Sequence, residues 1–208
     1  IPWDDERVWD STDALELHTI PKRLLVVGGG IIGMLTAREL SLAGMNVTII
    51  ERGEAGHESS WAGGGIISPL YPWRYSDPVS ALAKWGQGFY PELIEEINSE
   101  SGLDAEIIQN GLLMLDDEAE AALDWSKKWQ SNLQLIDSKE IYALEPELSP
   151  ELVNDRKAIW MPDIRQVRNP RLVKATKKYL LKQGVKFIEQ TEVTDFILNG
   201  QKITGVTT

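Results

Sequence analysis

The sequence predicts an α/β fold with a parallel sheet, built on one βαβ unit and carrying an inserted α+β portion. Three observations predict it. Residues 24–27 form a continuous apolar run, as in a strand buried on both faces. Gly28, Gly30 and Gly33 follow at G-x-G-x-x-G spacing. Residues 31–43 then carry apolar side chains at helical spacing (Ile31, Leu35, Leu40, Ala43) and stop at Gly44. A second apolar run at 47–50 ends in Glu51, 18 residues beyond Gly33.

Each part of this unit has a physical role. Gly28 permits the tight turn, Gly30 lets the backbone approach a pyrophosphate, and Gly33 lets helix and strand pack closely. The helix N-terminus favours phosphate charge, and Glu51 can accept from an adenosine ribose hydroxyl. The glycine spacing alone is a weak signal, because a Gly-rich turn in another α/β sheet could carry it. The strand before it, the helix after it and the acid beyond make a dinucleotide site the better reading.

The remaining elements follow in order. Residues 1–20 are acidic and aperiodic and read as an extended lead-in. Residues 52–69 form a Gly/Ser-rich connection. Pro69, Pro72 and Pro78 punctuate an irregular segment with Tyr71, Trp73 and Tyr75. Residues 79–100 look helical, with Pro91 marking a break or a new start. Two short strands around Asn110-Gly111 suggest a hairpin. Residues 117–131 and 138–144 suggest amphipathic helices, and 157–161 a strand. A helix at 170–183 begins at Pro170 and stops before Gly184, and a strand follows at 185–188. Residues 193–198 and 203–206 pair as a hairpin across Asn199-Gly200. The expected division is a lead-in at 1–21, a cofactor-binding domain at 22–78 and 157–208, and part of a substrate domain at 79–156. The chain stops at Thr208 inside what reads as a sheet, so a fragment is expected.

Composition bounds the function. The 208 residues suffice for one large domain or two small ones, and 42% hydrophobic content supports a core. No apolar run approaches the ~20 residues of a membrane span, and no N-terminal h-region suggests export, so a cytoplasmic location is expected. The absence of cysteine excludes disulfides, thiolate metal sites and a redox dithiol. His18 and His57 are too few for a histidine-rich metal site. A net charge of −11 argues against nucleic acid or an anionic membrane as partner. The eight tryptophans read as core or subunit contact.

A second constellation lies at 56–70, GHESSWAGGGIISPL. Ser59 and Ser60 offer hydroxyls, and Gly63, Gly64 and Gly65 expose backbone amides with no Cβ in the way. Such a segment can wrap a phosphate or the edge of a flavin; by composition alone it can equally be a flexible loop. Neither serine stands in a G-x-S-x-G elbow, and neither histidine is placed as a base, so hydrolase chemistry has no support.

The glycine motif, the acid-ended strand and the Ser/Gly turn followed by proline resemble the D-amino-acid-oxidase-like flavoproteins. The stretches ESSWAGGGIISPLYPWRYSDPV and VRNPRLVKA are similar to bacterial glycine oxidases. The resemblance runs from about Gly28 to Thr208 and covers the N-terminal half or so of such an enzyme. It implies a Rossmann-like FAD-binding domain and FAD as cofactor. Ile31 and Ile32 match residues whose backbone meets the diphosphate. Glu51 and Arg52 match the ribose contact, and Ser59 and Ser60 the hydroxyl pair beside the phosphates. Gly64, Gly65 and Ile66 match the turn against the flavin, and Val193 a strand residue whose backbone contacts adenine. The implied reaction is oxidative deamination of glycine or another small amino acid or amine by O2, giving keto acid, ammonia and peroxide, with thiamine biosynthesis as its setting. A homo-oligomer, or a second chain supplying the missing half, is the implied assembly.

The departures matter. The family's substrate-carboxylate arginine lies beyond Thr208, and Arg74, Arg165 and Arg168 do not match it. No catalytic residue or metal ligand is assigned within this chain, and the isolated chain is expected to be inactive as an oxidase. Arg74 is expected in a surface or structural pair, and Trp61 either walls the flavin pocket or simply packs. The first thirty residues instead resemble lipoamide dehydrogenases, in which a similar DSTDAL precedes a similar GGGIIG. That resemblance ends near Gly33, where Met34 and Leu35 replace the usual acid. It suggests a fusion with residues 1–27 foreign to the oxidase, or drift in an extension. Two other readings stay open: an NAD-binding domain fragment of a disulfide reductase, and a non-catalytic fragment or partner chain.

Overall fold

A computed structural model describes residues 23–115, 118–153, 156–200 and 202–208. The acidic lead-in at 1–20 lies outside the described residues. In chain order the elements are β1 (Arg23–Val27), α1 (Ile31–Leu42), β2 (Asn46–Ile50), α2 (Ser59–Ala62), α3 (Asp77–Ser101), β3 (Ile108–Gln109) and β4 (Leu112–Met114). There follow α4 (Ala119–Trp129), β5 (Gln134–Ile136), α5 (Ser138–Leu144), α6 (Pro150–Val153), β6 (Ala158–Met161), β7 (Arg165–Gln166) and α7 (Asn169–Lys182). The last are β8 (Lys186–Ile188), β9 (Asp195–Asn199) and β10 (Lys202–Thr207). The described residues form two compact units. One comprises the chain up to Gly63 with Ile97–Ala105 and Asn169–Thr208; the other comprises Gly64–Glu96 and Glu106–Arg168.

The first unit is the predicted βαβ arrangement extended by one strand. Its parallel sheet has the order β1-β2-β8, with Leu24 opposite Val47 and Ile49 opposite Phe187. Val47, Ile49 and Ile50 are buried, as befits the central strand of a covered parallel sheet. Met34 and Ala37 of α1 are wholly buried, as are Ala175, Thr176 and Leu180 of α7, with Tyr179 close behind. Each helix ends at a left-handed glycine, Gly44 and Gly184 with φ of 84°. There the Met45 amide donates to Leu40 O at 3.1 Å and the Val185 amide to Leu180 O at 3.0 Å, closing the last turn. The Asn199-Gly200 hairpin forms as expected, with β9 antiparallel to β10.

The second unit holds an antiparallel sheet β4-β6-β5 and a separate pair β3-β7. Met114, Ile159, Met161 and Ile164 bury one side with Ala122 of α4; Ile136, Ile141, Val153 and Ala158 form a second cluster. Helix α5 starts on a reciprocal capping box, Asp137 accepting from the Glu140 amide and Glu140 from the Asp137 amide, both at 3.0 Å.

Two expectations need correction. Pro91 neither breaks nor starts a helix: α3 runs through it for 25 residues. Proline in a helix costs about 3 kcal/mol. Leu93, Ile94 and Ile97 on the following turns are at most 2% exposed, and each such side chain contributes about 1.5–3 kcal/mol on burial, so packing wins. Asn110-Gly111 is not a hairpin turn. β3 pairs with β7 while β4 pairs with β6. Gly111 sits under Trp160, where an added Cβ would lie 2.0 Å from the indole, and its amide donates to Ile164 O at 3.0 Å. The turn splits two strands between two sheets.

Candidate functional site

The turn between β1 and α1 is built by glycines with different jobs. Gly28 takes φ 106°, a conformation that L side chains rarely adopt, and its amide donates to Ile50 O at 2.9 Å. A Cβ on Gly33 would stand 2.0 Å from Gly28 O, so only glycine lets the helix sit this close to the turn. Gly29 is confined less severely, with Ala55 Cβ at 3.0 Å and Glu51 Cβ at 3.1 Å from where its own would be. Gly30 is the N-cap of α1 and has no side-chain cap of its own.

Glu51 closes the turn from the other side. Its carboxylate is buried and accepts from the Gly29 amide at 2.7 Å and from the Gly53 amide at 2.9 Å, one bond per oxygen. Its backbone is fixed as well: the Glu51 amide donates to Ile188 O and the Thr191 amide to Glu51 O. An ionised carboxylate has about four acceptor positions, so two remain. That acid, pinned where the strand ends, suits a ligand with vicinal hydroxyls.

At the head of α1, Ser60 Oγ accepts from the Ile31 amide at 2.9 Å. Ser60 therefore satisfies one of the orphan donors of the first turn and keeps its own O–H for a further acceptor. Ile32 projects its side chain outward, 73% exposed, and its amide stands in the same first turn. Ser59 is exposed on α2. Arg52, at the rim, is held by Glu58: Nε and Nη2 donate to Glu58 Oε1 at 3.0 and 2.6 Å. The Glu58 hydrogen bond, then its charge, raises the guanidinium above its ordinary value. Val193 is half-buried and lies just before β9, which begins at Asp195, so it is not itself a strand residue. The first unit thus brings together Gly28, Gly30, Ile31, Ile32, Gly33, Glu51 and Ser60 around one turn.

Gly64, Gly65 and Ile66 belong to the second unit. There Gly65 takes φ 77° and accepts at its carbonyl from the Val167 amide at 2.9 Å. Ile66 bridges Gln166 antiparallel and is 37% exposed. Arg74, in the same unit, pairs with Glu118 at 2.8 Å and lies over the Tyr71 ring at 3.9 Å, the structural pairing the sequence suggested. Its hydrogen bond, with that of the Trp73 indole, holds the Glu118 carboxyl below the usual range.

Several contacts around the turn have no sequence signal. Glu58, at the N-cap of α2, meets Arg52 six residues before it. Glu189 accepts from the Ala55 amide and from Lys177 Nζ, each at 2.7 Å, and so ties α7 to the segment after β2. Burial pushes that carboxyl up, but Lys177, the Ala55 amide and the charge of His57 outweigh it and leave it below the ordinary value.

Among the described residues no group of three or more acidic or histidine side chains could hold a metal, and no helix is long and apolar enough to cross a membrane. The open backbone at Gly28 and Gly30, the donor-rich first turn of α1, the Ser60 hydroxyl and the half-satisfied buried acid fit the ribose and diphosphate of a dinucleotide.

A parallel strand, glycine turn, helix and acid-ended strand, assembled in this way, define a dinucleotide-binding α/β protein. The chain belongs to the family of FAD-dependent oxidoreductases (DAO), whose model matches residues 23–208; FAD is that family's cofactor. Glycine oxidase of Pseudomonas aeruginosa is 47% identical over 189 residues, covering 90% of this chain and 51% of its own. The crystal structure of glycine oxidase from Bacillus cereus superposes with a TM-score of 0.79 at 27% identity, over 89% of this chain and 51% of that one. The chain therefore spans about half the length of these relatives. Dihydrolipoyl dehydrogenase of Haemophilus influenzae is 49% identical over 51 residues, 24% of this chain and 11% of its own. That stretch is longer than a likeness ending at Gly33 could be, so Met34 and Leu35 do not terminate it.

Proposed function

We propose that this chain is the FAD-binding portion, with part of the substrate domain, of an oxidase that deaminates glycine or another small amino acid or amine. O2 is the terminal acceptor, and keto acid, ammonia and hydrogen peroxide are the products. The observation that carries the cofactor half of this reading is the buried Glu51 carboxylate, spanning the Gly29 and Gly53 amides with acceptor capacity to spare. The likeness to glycine oxidases supports the substrate half. FAD, when bound, would supply the acceptor for the electrons of the amine carbon. Glu51 would accept from the ribose hydroxyls. The first-turn amides of Ile31 and Ile32, with the hydroxyls of Ser59 and Ser60, would meet the diphosphate. Arg52, steadied by Glu58, would border the ribose. Gly64, Gly65 and Ile66 would present backbone to the flavin, and the Val193 backbone would face adenine. A cytoplasmic location, and assembly as a homo-oligomer or with a second chain, belong to the same reading.

A second reading, an NAD-binding domain fragment of a disulfide reductase, is favoured by the 51-residue likeness to dihydrolipoyl dehydrogenase. One titration separates them. The purified chain is recorded in the visible before and after adding FAD, and in parallel with NADH followed by fluorescence. Bound-flavin bands near ~450 nm that survive gel filtration support the oxidase reading. A colourless chain that retains NADH instead would replace it with the reductase reading.

A further inference from the structure

Helix α2 is a single turn of four residues with no side-chain cap, yet it delivers the Ser60 hydroxyl to within 2.9 Å of the Ile31 amide. A one-turn helix is not stable on its own, because nucleation fixes several residues for very few hydrogen bonds. Something else must hold it. The anchors all come from its own lead-in or from the first two turns of α7. The Trp61 ring lies 4.3 Å, centroid to centroid, from the His57 ring, tilted by 38°. Lys174 Nζ sits over the same indole at 5.2 Å from its centroid. Before α2, Gly56 presses on Val173, where a Cβ would be 1.9 Å from Cγ1. After it, Gly63 leaves room for Asn169, where a Cβ would be 2.4 Å from Nδ2. Asn169, Val173 and Lys174 share one end of α7, the helix that also packs on α1. Residues 60 and 61 point about 100° apart on a helix. Trp61 therefore faces α7 while Ser60 faces the head of α1.

We propose that Trp61, gripped by Lys174 and His57, is a positioning residue: a clamp that fixes α2 so that Ser60 stands ready on the first-turn amide of α1. This rests on reading that turn as the diphosphate cradle. Around the indole, His57 Nε2 lies 3.3 Å from Glu54 Oε1, which keeps the imidazole at the edge of the stack. Indole against imidazole and ammonium against indole are both attractive in this geometry. Neither Trp61 nor Lys174 needs to touch the ligand. Their effect is to spare the ligand the ordering of a loop, which is where preorganisation raises affinity.

The experiment uses the 208-residue chain and has two readouts. The first is hydrogen exchange at the Ile31 amide in ligand-free protein. The second is FAD affinity from quenching of flavin fluorescence. Trp61→Ala is expected to speed Ile31 exchange at least several-fold and to weaken FAD about 10-fold, the scale on which outer-shell supports of metal ligands act. Trp61→Phe, which keeps an aromatic face, should recover most of both. Lys174→Met should lie between them. In a Ser60→Ala background, Trp61→Ala should have little further effect on affinity, since the group it positions is gone. Unchanged Ile31 exchange in Trp61→Ala, with the fold intact by circular dichroism, overturns the clamp. Faster exchange with unchanged FAD affinity overturns its role toward the cofactor. Should the parent chain bind no FAD at all, the cradle reading fails by itself, while the exchange data still decide whether Trp61 positions Ser60.

Discussion

The hydrogen atom at Gly33 occupies space that no other side chain could share, with Gly28 O only 2.0 Å from where a methyl carbon would stand. Gly33→Ala must drive α1 away from the turn, and overpacking of this kind costs about 1–3 kcal/mol. The expected result is a lower denaturant midpoint together with weakened FAD binding; an unchanged midpoint would mean that the helix shifts freely. Glu189 supplies a pH-dependent case. Its folded value lies below the ordinary one, so its contribution to stability is complete above the unfolded value and is lost as pH falls through the folded value. In Lys177→Met the leading opposing influence, burial, is left with less to counter it. The carboxyl then rises and acid unfolding should begin at a higher pH, as read by circular dichroism across a pH series. A midpoint that stays put would show that the Ala55 amide and the charge of His57 suffice to hold Glu189 down. At this scale the sequence foretold Glu51 at the end of its strand, because strand, helix and acid have fixed spacing. It did not reveal that the acid is locked by Gly29 and Gly53, since those bonds follow from the turn's backbone rather than from residue type.

Among the elements, long periodic segments were legible and short or interrupted ones were not. α1 and α7 announce themselves by apolar spacing and by Gly44 and Gly184 at their ends, and α5 by its amphipathic pattern. α2 was hidden inside a Gly/Ser-rich stretch because its hold is tertiary, through Trp61 and α7, and nothing local favours a helix there. α3 was read as interrupted because Pro91 is a strong local signal, whereas the burial of Leu93, Ile94 and Ile97 that overrides it is invisible to local rules. Pro91→Ala restores the missing amide and removes the ring from the preceding turn. It should stabilise the chain by about 1–3 kcal/mol, seen as a higher melting temperature. A fall would mean that the Pro91 ring is itself used by the packing around it.

Over the whole molecule, the sequence pointed to the family and to the glycine turn, and it described the sheet only in part. The order β1-β2-β8 requires a strand from residues 186–188 beside one at 46–50, a pairing that no local pattern encodes. The two-unit arrangement likewise depends on where distant segments meet: Ile97–Ala105 joins the first unit although it follows twenty residues of α3 that belong to the second. What local physics does specify is the glycine turn and the acid that closes it, which lie within one short stretch of chain.

That compactness in sequence has a kinetic consequence. The bond from the Gly29 amide to Glu51 spans 22 residues and that from Ile31 to Ser60 spans 29, whereas β8 must return to β2 from the far end of the described chain. Closing the small loops costs less entropy than closing the large one, and contacts distant in sequence form late and slowly. The glycine turn and its acid can therefore assemble before the third strand docks, whereas Ser60 waits for α7 to hold α2. A dinucleotide captured at that moment would act on the refolding chain as a template, so cofactor present during refolding would change the yield of native protein as well as its final stability.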